Sequence, residues 1–526
     1  MKHARYGADR FKTRCLEAAT PPAGLGTGGA RRPGRGRRPT SRPVTWTLLW
    51  LCLSVAAWAT PPNVLFVAFD DLNDWVGCLG GHPQAHTPNL DRLAARGTVF
   101  LNAHCQAPLC NPSRASLLTG LRPSTTGIHG LAPGIREVDR TRQVVTLPQA
   151  FTRAGWFTHL SGKIHHDGSI GTADRSREAA EWGPAPGLDR PARPFSSIPD
   201  AHPLMDWGPF PTNGAPHADA RIADAAIDAL RRSDRSRPFF IACGFRLPHV
   251  PCYAPPEWFE RFPMDELRMP PVAPDDRSDT PPFSWYLHWK LPEPRLSVLR
   301  RHDQWRPLVR SYLASIAFVD FQLGRLLSAL DADPRGTNTL VVVWSDHGYH
   351  LGEKGISGKN SLWERSTRVP LIIAGPGAAP RGRCREPVEL LDLYPTLIEL
   401  TGLPGVEGLE GHSLVPQLKD ASHRRPWPAI TTHGRGNHAV RSAHWRFIRY
   451  ADGSEELYDE RADPAEWTNL VGRADLRPIR DEHARWLPRL DVPAAPGSAH
   501  RVVGWNPQTR RASWEGAEIR DSDREE

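Results

Sequence analysis

Short apolar runs alternate with amphipathic stretches along most of the 526-residue chain. The run Asn63–Phe69 is bounded by proline and aspartate, which is typical of a strand buried on both faces of a sheet. Similar runs, separated by helical patterns, predict an α/β domain with a largely parallel or mixed sheet. Further strands are predicted at Phe239–Gly244, Leu340–Ser345 and Leu371–Ala374, and helices at Pro88–Arg96, Ala218–Arg232, Leu308–Leu330 and Val388–Leu400.

The pattern changes after Gly402, where short alternating segments replace the long apolar runs. The segment Trp445–Tyr450 predicts an antiparallel hairpin in a smaller C-terminal domain. The proline-rich stretch Met269–Pro294 predicts a long surface loop, because helix and strand patterns resume after it. We therefore expect a leader at 1–59, a large α/β domain at 60–404, a smaller α+β domain at 405–507 and a frayed polar tail at 508–526.

The leader carries most of the basic excess of the chain. Residues 1–59 hold eleven of the 66 Lys and Arg residues and only two acidic residues, so the rest of the chain is almost neutral. The net charge of +8 is therefore not a nucleic-acid footprint. The run Trp46–Trp58 is too short to span a membrane and is followed by a small-x-small cleavage pattern at Ala57–Ala59. This predicts a signal peptide, and a secreted or periplasmic protein without a stable membrane span; a buried N-terminal helix is the alternative.

Six cysteines follow the leader, and export would permit disulfides among them. Cys243 and Cys252 are close enough in sequence to close a short loop. The connectivity cannot be deduced from spacing alone, so no pairing is assigned.

Acidic residues directly follow two of the predicted strands. Asp70 and Asp71 follow the first strand, and Asp346 and His347 follow Leu340–Ser345. Sites in open α/β sheets gather at the carboxyl ends of the strands, and three carboxylates brought together there need a cation to neutralise them. Oxygen ligands favour Ca²⁺ or Mg²⁺. The alternative is that Asp70 and Asp71 only cap a turn.

The segment Cys110–Gly120 reads Cys-Asn-Pro-Ser-Arg-Ala-Ser-Leu-Leu-Thr-Gly. Pro112 and Ser113 favour a helix start, so Cys110 should lie at a helix N-terminus, where the helix dipole favours anions. Arg114 adds a planar cation suited to an oxyanion. A lone cysteine is otherwise more often an inert buried thiol. The whole segment resembles the sulfatase signature, in which Cys-x-Pro-Ser-Arg is the recognition sequence for oxidation of the cysteine to formylglycine.

The resemblance to sulfatases extends from about Pro62 to Gly472. Within the family it is most similar to the iduronate-2-sulfatase and choline-sulfatase branch, which carries Asp-His where many arylsulfatases carry Asp-Asn. It implies an alkaline-phosphatase-like sandwich: a large mixed, mainly parallel sheet flanked by helices, with a smaller C-terminal antiparallel sheet. The matching segments are Asp70-Asp71, Thr87–Leu93, Pro248–Pro251, Asp346–Glu353, Lys359 and Leu457–Pro464.

The resemblance also implies roles for individual residues. Arg114 would hold the formylglycine hydrate, while Lys163 and Lys359 would contact the sulfate. The maturation partner would be a formylglycine-generating enzyme. One Ca²⁺ per chain would be held by Asp70, Asp71, Asp346, His347 and the modified Cys110.

Histidines would carry the proton transfers, since an imidazole titrates near neutral pH. His249 would protonate the leaving oxygen. The base that releases sulfate is His165 by the common Gly-Lys-x-His spacing and His166 by the iduronate-like spacing, which we favour. His129 and His350 are candidate lining residues only.

Formylglycine chemistry is coherent, because one hydroxyl of the aldehyde hydrate attacks sulfur and the second later expels sulfate. The substrate class favoured by the branch and by export is a sulfated carbohydrate; choline sulfate, aryl sulfates and other small sulfate esters remain open. A phosphate or phosphonate ester hydrolase of the same superfamily is one rival. A catalytically dead binding protein is another, although none of the expected catalytic or metal residues is missing from the sequence.

Overall fold

The computed structural model describes residues 60–520 apart from residues 167, 188 and 215. The predicted leader and signal peptide therefore lie outside the described residues, as do Asp167 and residues 521–526 of the predicted tail.

An eight-stranded sheet forms the centre of the described chain. Five of its seven neighbouring strand pairs are parallel, and the other two are antiparallel because Leu371–Ala374 runs against both of its neighbours. The mixed, mainly parallel sheet and its flanking helices confirm the predicted fold class. From edge to edge the strands are Gly382–Cys384, Gly97–Phe100, Leu371–Ala374, Thr339–Ser345, Asn63–Asp70, Phe239–Pro248, Phe157–Gly162 and Glu181–Trp182.

The position of the strand Asn63–Asp70 inside the sheet explains why its sequence is almost entirely apolar. Its side chains alternate between two hydrophobic clusters, one on each face of the sheet. Leu65, Val67 and Phe69 join the cluster that contains the helix Ala218–Arg232. The intervening residues Val64, Phe66 and Ala68 join the opposite cluster. Both faces of the sheet are thus covered by apolar side chains, so polar site residues are accommodated at the ends of the strands.

The helices Pro88–Arg96 and Ala218–Arg232 have the predicted bounds, and the predicted helix Leu308–Leu330 extends to Trp305–Asp331. The helix predicted from Val388 begins only at Leu393, because Val388–Glu389 pairs as a short strand with Ala103–His104. The remaining α-helices are Cys110–Thr119, Pro123–Thr126, Leu147–Arg153, Thr172–Glu178, Pro256–Phe259, Pro282–Tyr286, Leu296–Arg301, Glu364–Thr367, Val415–Lys419 and Arg477–Ala484.

The helix Trp305–Asp331 is the one described helix that is long and apolar enough to cross a membrane by length and composition. Most of its apolar stretch is buried inside the protein, as in a core helix.

A four-stranded antiparallel sheet forms the predicted smaller C-terminal part. The hairpin expected at Trp445–Tyr450 is present, with Trp445–Arg449 paired to both of its neighbours. Arg446, in the strand Trp445–Arg449 of this sheet, is fully buried and is bonded to Glu364, Glu460 and Glu466. The strands are Ala429–Thr432, His438–Arg441, Trp445–Arg449 and Glu455–Asp459.

Two regions expected to be loose are instead packed. In the proline-rich stretch 269–294, Phe283 and Trp289 are buried in a cluster that also contains Trp514. In the predicted polar tail, Arg511–Trp514 pairs with Val503–Asn506 and Ala517–Glu518. The expectation of a frayed tail is wrong for these residues, because apolar side chains at alternate positions fasten the strands to the body.

The described cysteines are all free thiols, so Cys243 and Cys252 do not form the disulfide that their spacing would permit. Both thiols are buried, and Cys252 donates to the carbonyl of Pro248 over 3.2 Å. The remaining short strands pair as Trp207–Pro209 with Cys252–Ala254 and His350–Leu351 with Ser357–Gly358.

Candidate active site

The acidic residues predicted at two strand ends meet at one edge of the sheet. The backbone N–H of Asp71 donates to Asp346 Oδ1 over 3.1 Å, which ties the two strand ends together. Asp71 has a φ of 64°, a left-handed conformation that aspartate tolerates better than most residues. His347 Nε2 lies 3.3 Å from Asp71 Oδ1. Asp70, Asp71, Asp346 and His347 are all fully buried, so their charges must be balanced locally.

Cys110 is the first residue of the helix Cys110–Thr119, as the sequence predicts. Its thiol lies 3.1 Å from Lys359 Nζ, 3.3 Å from His347 Nε2 and 4.0 Å from Asp71 Oδ1. Burial raises the pKa of this thiol, but Lys163 and Lys359 outweigh it and lower the pKa to about 7. Residue 110 therefore occupies a pocket that stabilises negative charge.

Arg114, one turn further along the same helix, is the cation that joins the carboxylates. Its Nε donates to Asp346 Oδ2 over 2.9 Å, and a terminal nitrogen donates to Asp70 Oδ1 over 3.3 Å. It also donates to the backbone carbonyl of Lys163. Only a planar fork can serve three such partners at once, so arginine is the residue type that this position requires.

Two lysines complete the charge balance. Lys163 Nζ lies 2.5 Å from Asp70 Oδ2, and Lys359 Nζ lies 2.7 Å from Asp71 Oδ1. Lys163 follows the strand Phe157–Gly162, whose end approaches its neighbour closely: a Cβ on Gly244 would lie 2.3 Å from the carbonyl oxygen of Lys163. Glycine at that position thus lets the lysine reach the site.

His249 enters from the end of the strand Phe239–Pro248. Its Nε2 lies 4.0 Å from Asp71 Oδ2, and its Nδ1 lies 2.5 Å from the carbonyl of Val250, which places a proton on Nδ1. Burial, followed by repulsion from Lys359, lowers the pKa of His249 well below its usual range. Without substrate the ring is therefore neutral, and an anionic ester bound beside it would favour its protonation.

The two candidate bases have different surroundings. His165 is buried, with Nε2 3.7 Å from Glu178 and its ring stacked on Trp182 at 6.0 Å. Burial lowers the pKa of His165 to about 4. His166 lines a cavity of about 80 Å³ together with His165 and Trp182, so the assignment of His166 as the base stays a prediction.

The two candidate lining histidines are each engaged by a neighbour: His129 Nε2 lies 3.3 Å from the carbonyl of Val492, and His350 Nε2 lies 2.8 Å from Ser361 Oγ.

The residues at the strand ends fit a divalent cation. Among the described residues, Asp70, Asp71, Cys110 and His347 can place one ligand atom each within 4.8 Å of one another. Asp71 Oδ2 is buried and accepts no hydrogen bond, so an acceptor is left for a cation. The fifth predicted ligand, Asp346, is not part of that group; its Oδ2 accepts from Arg114 and lies 3.7 Å from His347 Nε2.

Three residues that the sequence analysis did not select also lie next to this site. Arg501 bonds to Asn360 Oδ1 and to Glu293 Oε1, each over 2.9 Å. Asn360 directly follows Lys359 in the chain. None of the three belongs to a motif that the analysis used, and Arg501 and Glu293 are 208 residues apart, so only the fold reveals them.

A buried cysteine at a helix N-terminus, beside carboxylates that fit a cation at the edge of a mainly parallel sheet, is the arrangement expected of an alkaline-phosphatase-like hydrolase. The sulfatase family model matches residues 62–403, and the model for the C-terminal part of N-sulphoglucosamine sulphohydrolase matches residues 352–491. The chain therefore belongs to the sulfatase family and is a sulfuric ester hydrolase.

Individual relatives agree with this assignment. A protein named sulfatase from Formosa agariphila is 39% identical over 442 residues, which cover 82% of this chain and 87% of that protein. The choline-sulfatase of Rhizobium meliloti is 30% identical, and the match covers 84% of this chain and 90% of that protein. The iduronate 2-sulfatase of Homo sapiens is also 30% identical, and the match covers 65% of this chain and 69% of that protein. The solved structure of a 2-O GAG sulfatase has a TM-score of 0.64 at 25% identity, with 81% of this chain and 91% of that chain covered.

Proposed function

We propose that this sulfatase releases inorganic sulfate from a sulfated carbohydrate, using formylglycine made from Cys110 and one Ca²⁺. The observation that carries this proposal is the position of Cys110, at a buried helix N-terminus within 3.3 Å of both Lys359 and His347. An inert structural thiol needs no such cationic surroundings, whereas a residue that bonds to a sulfuryl group does.

Oxidised to the aldehyde and hydrated by one water molecule, residue 110 would carry two hydroxyls on one carbon: one as the nucleophile and the other, later, as the group that expels sulfate and restores the aldehyde. Arg114 would orient that residue; its position one turn along the same helix, where two carboxylates fix it, supports this role. Lys163 and Lys359 would hold the sulfate oxygens while negative charge develops on them.

Five residues would hold the calcium ion: Asp70, Asp71, Asp346, His347 and residue 110. A bound divalent cation supplies charge neutralisation for sulfate oxygens and for the nucleophile. The unpartnered Asp71 Oδ2 and the oxygen-rich donor set support this choice of hard cation. Lys359 and Lys163 at present neutralise the same carboxylates, so they would share them with the ion.

Protons would move through histidines. His249 would protonate the leaving oxygen; the contact of its Nδ1 with the carbonyl of Val250, which leaves Nε2 facing Asp71, supports this role. His166 is our choice for the base that frees the sulfate, with His165 as the alternative. The contact of His165 with Glu178 favours a structural role for that ring.

A sulfated carbohydrate is the favoured substrate because of the iduronate-like segments and because a 2-O GAG sulfatase shares this fold over 81% of the chain. Export through the predicted signal peptide would bring the enzyme to such polymers outside the cytoplasm. The relative named choline-sulfatase keeps choline sulfate as a second candidate.

The direct test is a substrate panel with purified, matured enzyme. Turnover is measured as released sulfate for the sulfate esters and as released alcohol for a phosphonate ester. It should be highest with one of a set of sulfated sugars, lower with choline sulfate and nitrophenyl sulfate, and least with the phosphonate ester. The variant Cys110→Ser should abolish turnover, because a single hydroxyl lacks the second one needed to release sulfate. A wild-type enzyme that prefers choline sulfate or a phosphonate ester would contradict the proposal.

A further inference from the structure

The segment Ala499–Arg501, which precedes the predicted polar tail, is fastened beside the catalytic helix Cys110–Thr119. His500 and Arg501 both adopt left-handed backbone conformations, with φ values of 60° and 69°. The backbone N–H of Leu131 donates to the carbonyl of His500 over 3.2 Å. Two successive non-glycine residues in this conformation are costly and persist only where the surroundings fix them.

The attachment point of this segment is connected directly to the residue after Cys110. Asn111 Nδ2 donates to the carbonyl of Gly130 over 3.0 Å. A Cβ on Gly130 would lie 2.5 Å from the carbonyl oxygen of Ala499, so glycine is required for this close approach. The start of the catalytic helix and the segment Ala499–Arg501 thus share one support.

Arg501 projects from this segment onto the residues beside Lys359. Its two terminal nitrogens each donate over 2.9 Å, one to Asn360 and one to Glu293. The backbone N–H of Asn360 donates in turn to the carbonyl of Pro108 over 3.1 Å, two residues before Cys110. Asn360 therefore connects the guanidinium of Arg501 to the segment that precedes Cys110, while Glu293 fixes the second terminal nitrogen of the guanidinium.

Arg501 also interacts electrostatically with the catalytic residues. Burial lowers the pKa of Arg501, while Glu293 and then Cys110 and Asp71 raise it. Burial lowers the pKa of Lys359, but Asp71 and the other acidic groups around it outweigh burial and raise the pKa overall, and Arg501 opposes that rise. These effects agree with the bond from Arg501 to Asn360, which directly follows Lys359.

The exposed face of the Arg501–Glu293 pair is cationic. The Arg501 side chain is 12% exposed, whereas that of Glu293 is 1% exposed. The described residues engage two of the five N–H donors of the guanidinium, so the other three are left for a ligand. A rigid fork of this kind matches a carboxylate or a sulfate better than a neutral or cationic group.

Resting on the proposed function, we propose that Arg501 binds a second anionic group of the substrate, a carboxylate or a second sulfate on the sulfated sugar. The matched family models end at residues 403 and 491, so Arg501 lies in a part of the chain that neither covers. The substrate class is thereby narrowed to doubly anionic sugars, and choline sulfate, with its cationic head group, is disfavoured.

The test compares four substrates: nitrophenyl sulfate, a monosulfated neutral hexose, a sulfated uronic acid and a disulfated hexosamine. For Arg501→Gln we expect kcat/KM to fall about 10- to 100-fold more with whichever doubly anionic sugar the enzyme prefers than with the singly anionic substrates. Most of the loss should be in KM. The uronic acid and the disulfated sugar distinguish a carboxylate from a second sulfate.

Two further variants keep the result interpretable. Arg501→Lys retains the charge without the fork and should give an intermediate loss. Arg511→Gln removes an exposed arginine of the strand Arg511–Trp514, paired only with Glu518 among the described contacts, and should change none of the four reactions. Melting temperatures establish that each variant is folded.

Equal losses of Arg501→Gln on all four substrates would overturn the inference, because they indicate a structural role for the arginine. So would a wild-type enzyme that prefers the singly anionic hexose. In both cases the proposed sulfatase activity on sugars survives. Wild-type enzyme that releases sulfate from nitrophenyl sulfate but from none of the three sugars would instead refute the proposed function itself.

Discussion

Replacing His249 by alanine tests the role of the histidine at the strand end. The ring is only 8% exposed, and its Nε2 faces Asp71 Oδ2 at 4.0 Å. As a general acid, His249 matters most when the leaving group is poor. A sugar alkoxide is a poor leaving group, whereas a nitrophenolate leaves readily without a proton.

The expected magnitude has two parts. Loss of general acid catalysis lowers kcat about 10²- to 10⁴-fold, or about 3 to 5 kcal/mol of barrier, with the sugar substrate. Truncation also leaves the carbonyl of Val250 without its 2.5 Å partner, which costs about 1 to 3 kcal/mol of stability. The second cost acts on both substrates alike, so the ratio of the two losses isolates the first.

The assay measures kcat for wild type and His249→Ala with one sulfated sugar and with nitrophenyl sulfate. We expect the sugar reaction to lose at least ten times more than the nitrophenyl reaction. His483→Ala is the matched control, since His483 is buried to a similar degree but contacts Ile479 and Ser442 in the C-terminal part. Equal losses with both substrates would show that His249 only supports the loop and would refute its role as acid.

Three other predictions follow from the buried charges. Asp71→Asn should lower both the calcium content found by elemental analysis and the turnover rate, and two zinc ions per wild-type chain would instead indicate a phosphatase-like site. Arg114→Lys should lower the melting temperature and reduce kcat by about 10²-fold or more, since a lysine cannot serve Asp70 and Asp346 together; an unchanged kcat would contradict this. Burial and then Glu364 raise the pKa of Glu460 to about 7, from an unfolded value of 4.5. The folded protein therefore favours the protonated carboxyl. The stability that Glu460 contributes is complete below pH 4.5 and is lost as the pH rises through about 7. The melting temperature of Glu460→Gln should therefore fall less than that of wild type over this range, and parallel curves would exclude the effect.

The parts of the site that the sequence predicts are those that depend on local pattern. The apolar run ending at Asp70 and the run ending at Ser345 identify two strand ends, and adjacent parallel strands necessarily bring such ends together. The helix start at Cys110 follows from Pro112 and Ser113 in the same way. Local helix and strand preferences, together with the adjacency of parallel strands, were sufficient to predict where these residues lie.

The parts that were missed depend on long-range packing. Arg501 lies in a polar stretch with no motif, and its place at the site is set by contacts with the loop at Leu131 and with Glu293. The strand Arg511–Trp514 was missed because it is short and is flanked by charged residues, although Trp514 is buried against Phe283 and its neighbours. Neither arrangement leaves a periodic signal in the local sequence.

The most direct test of the central claim is peptide mass spectrometry of residue 110 in protein of measured sulfatase activity. We predict that the fragment containing residues 110–114 carries a formylglycine, with the thiol of Cys110 replaced by an aldehyde oxygen. The specific activity of different preparations should rise in proportion to the converted fraction. Fully active enzyme with only unmodified cysteine at residue 110 would contradict the account.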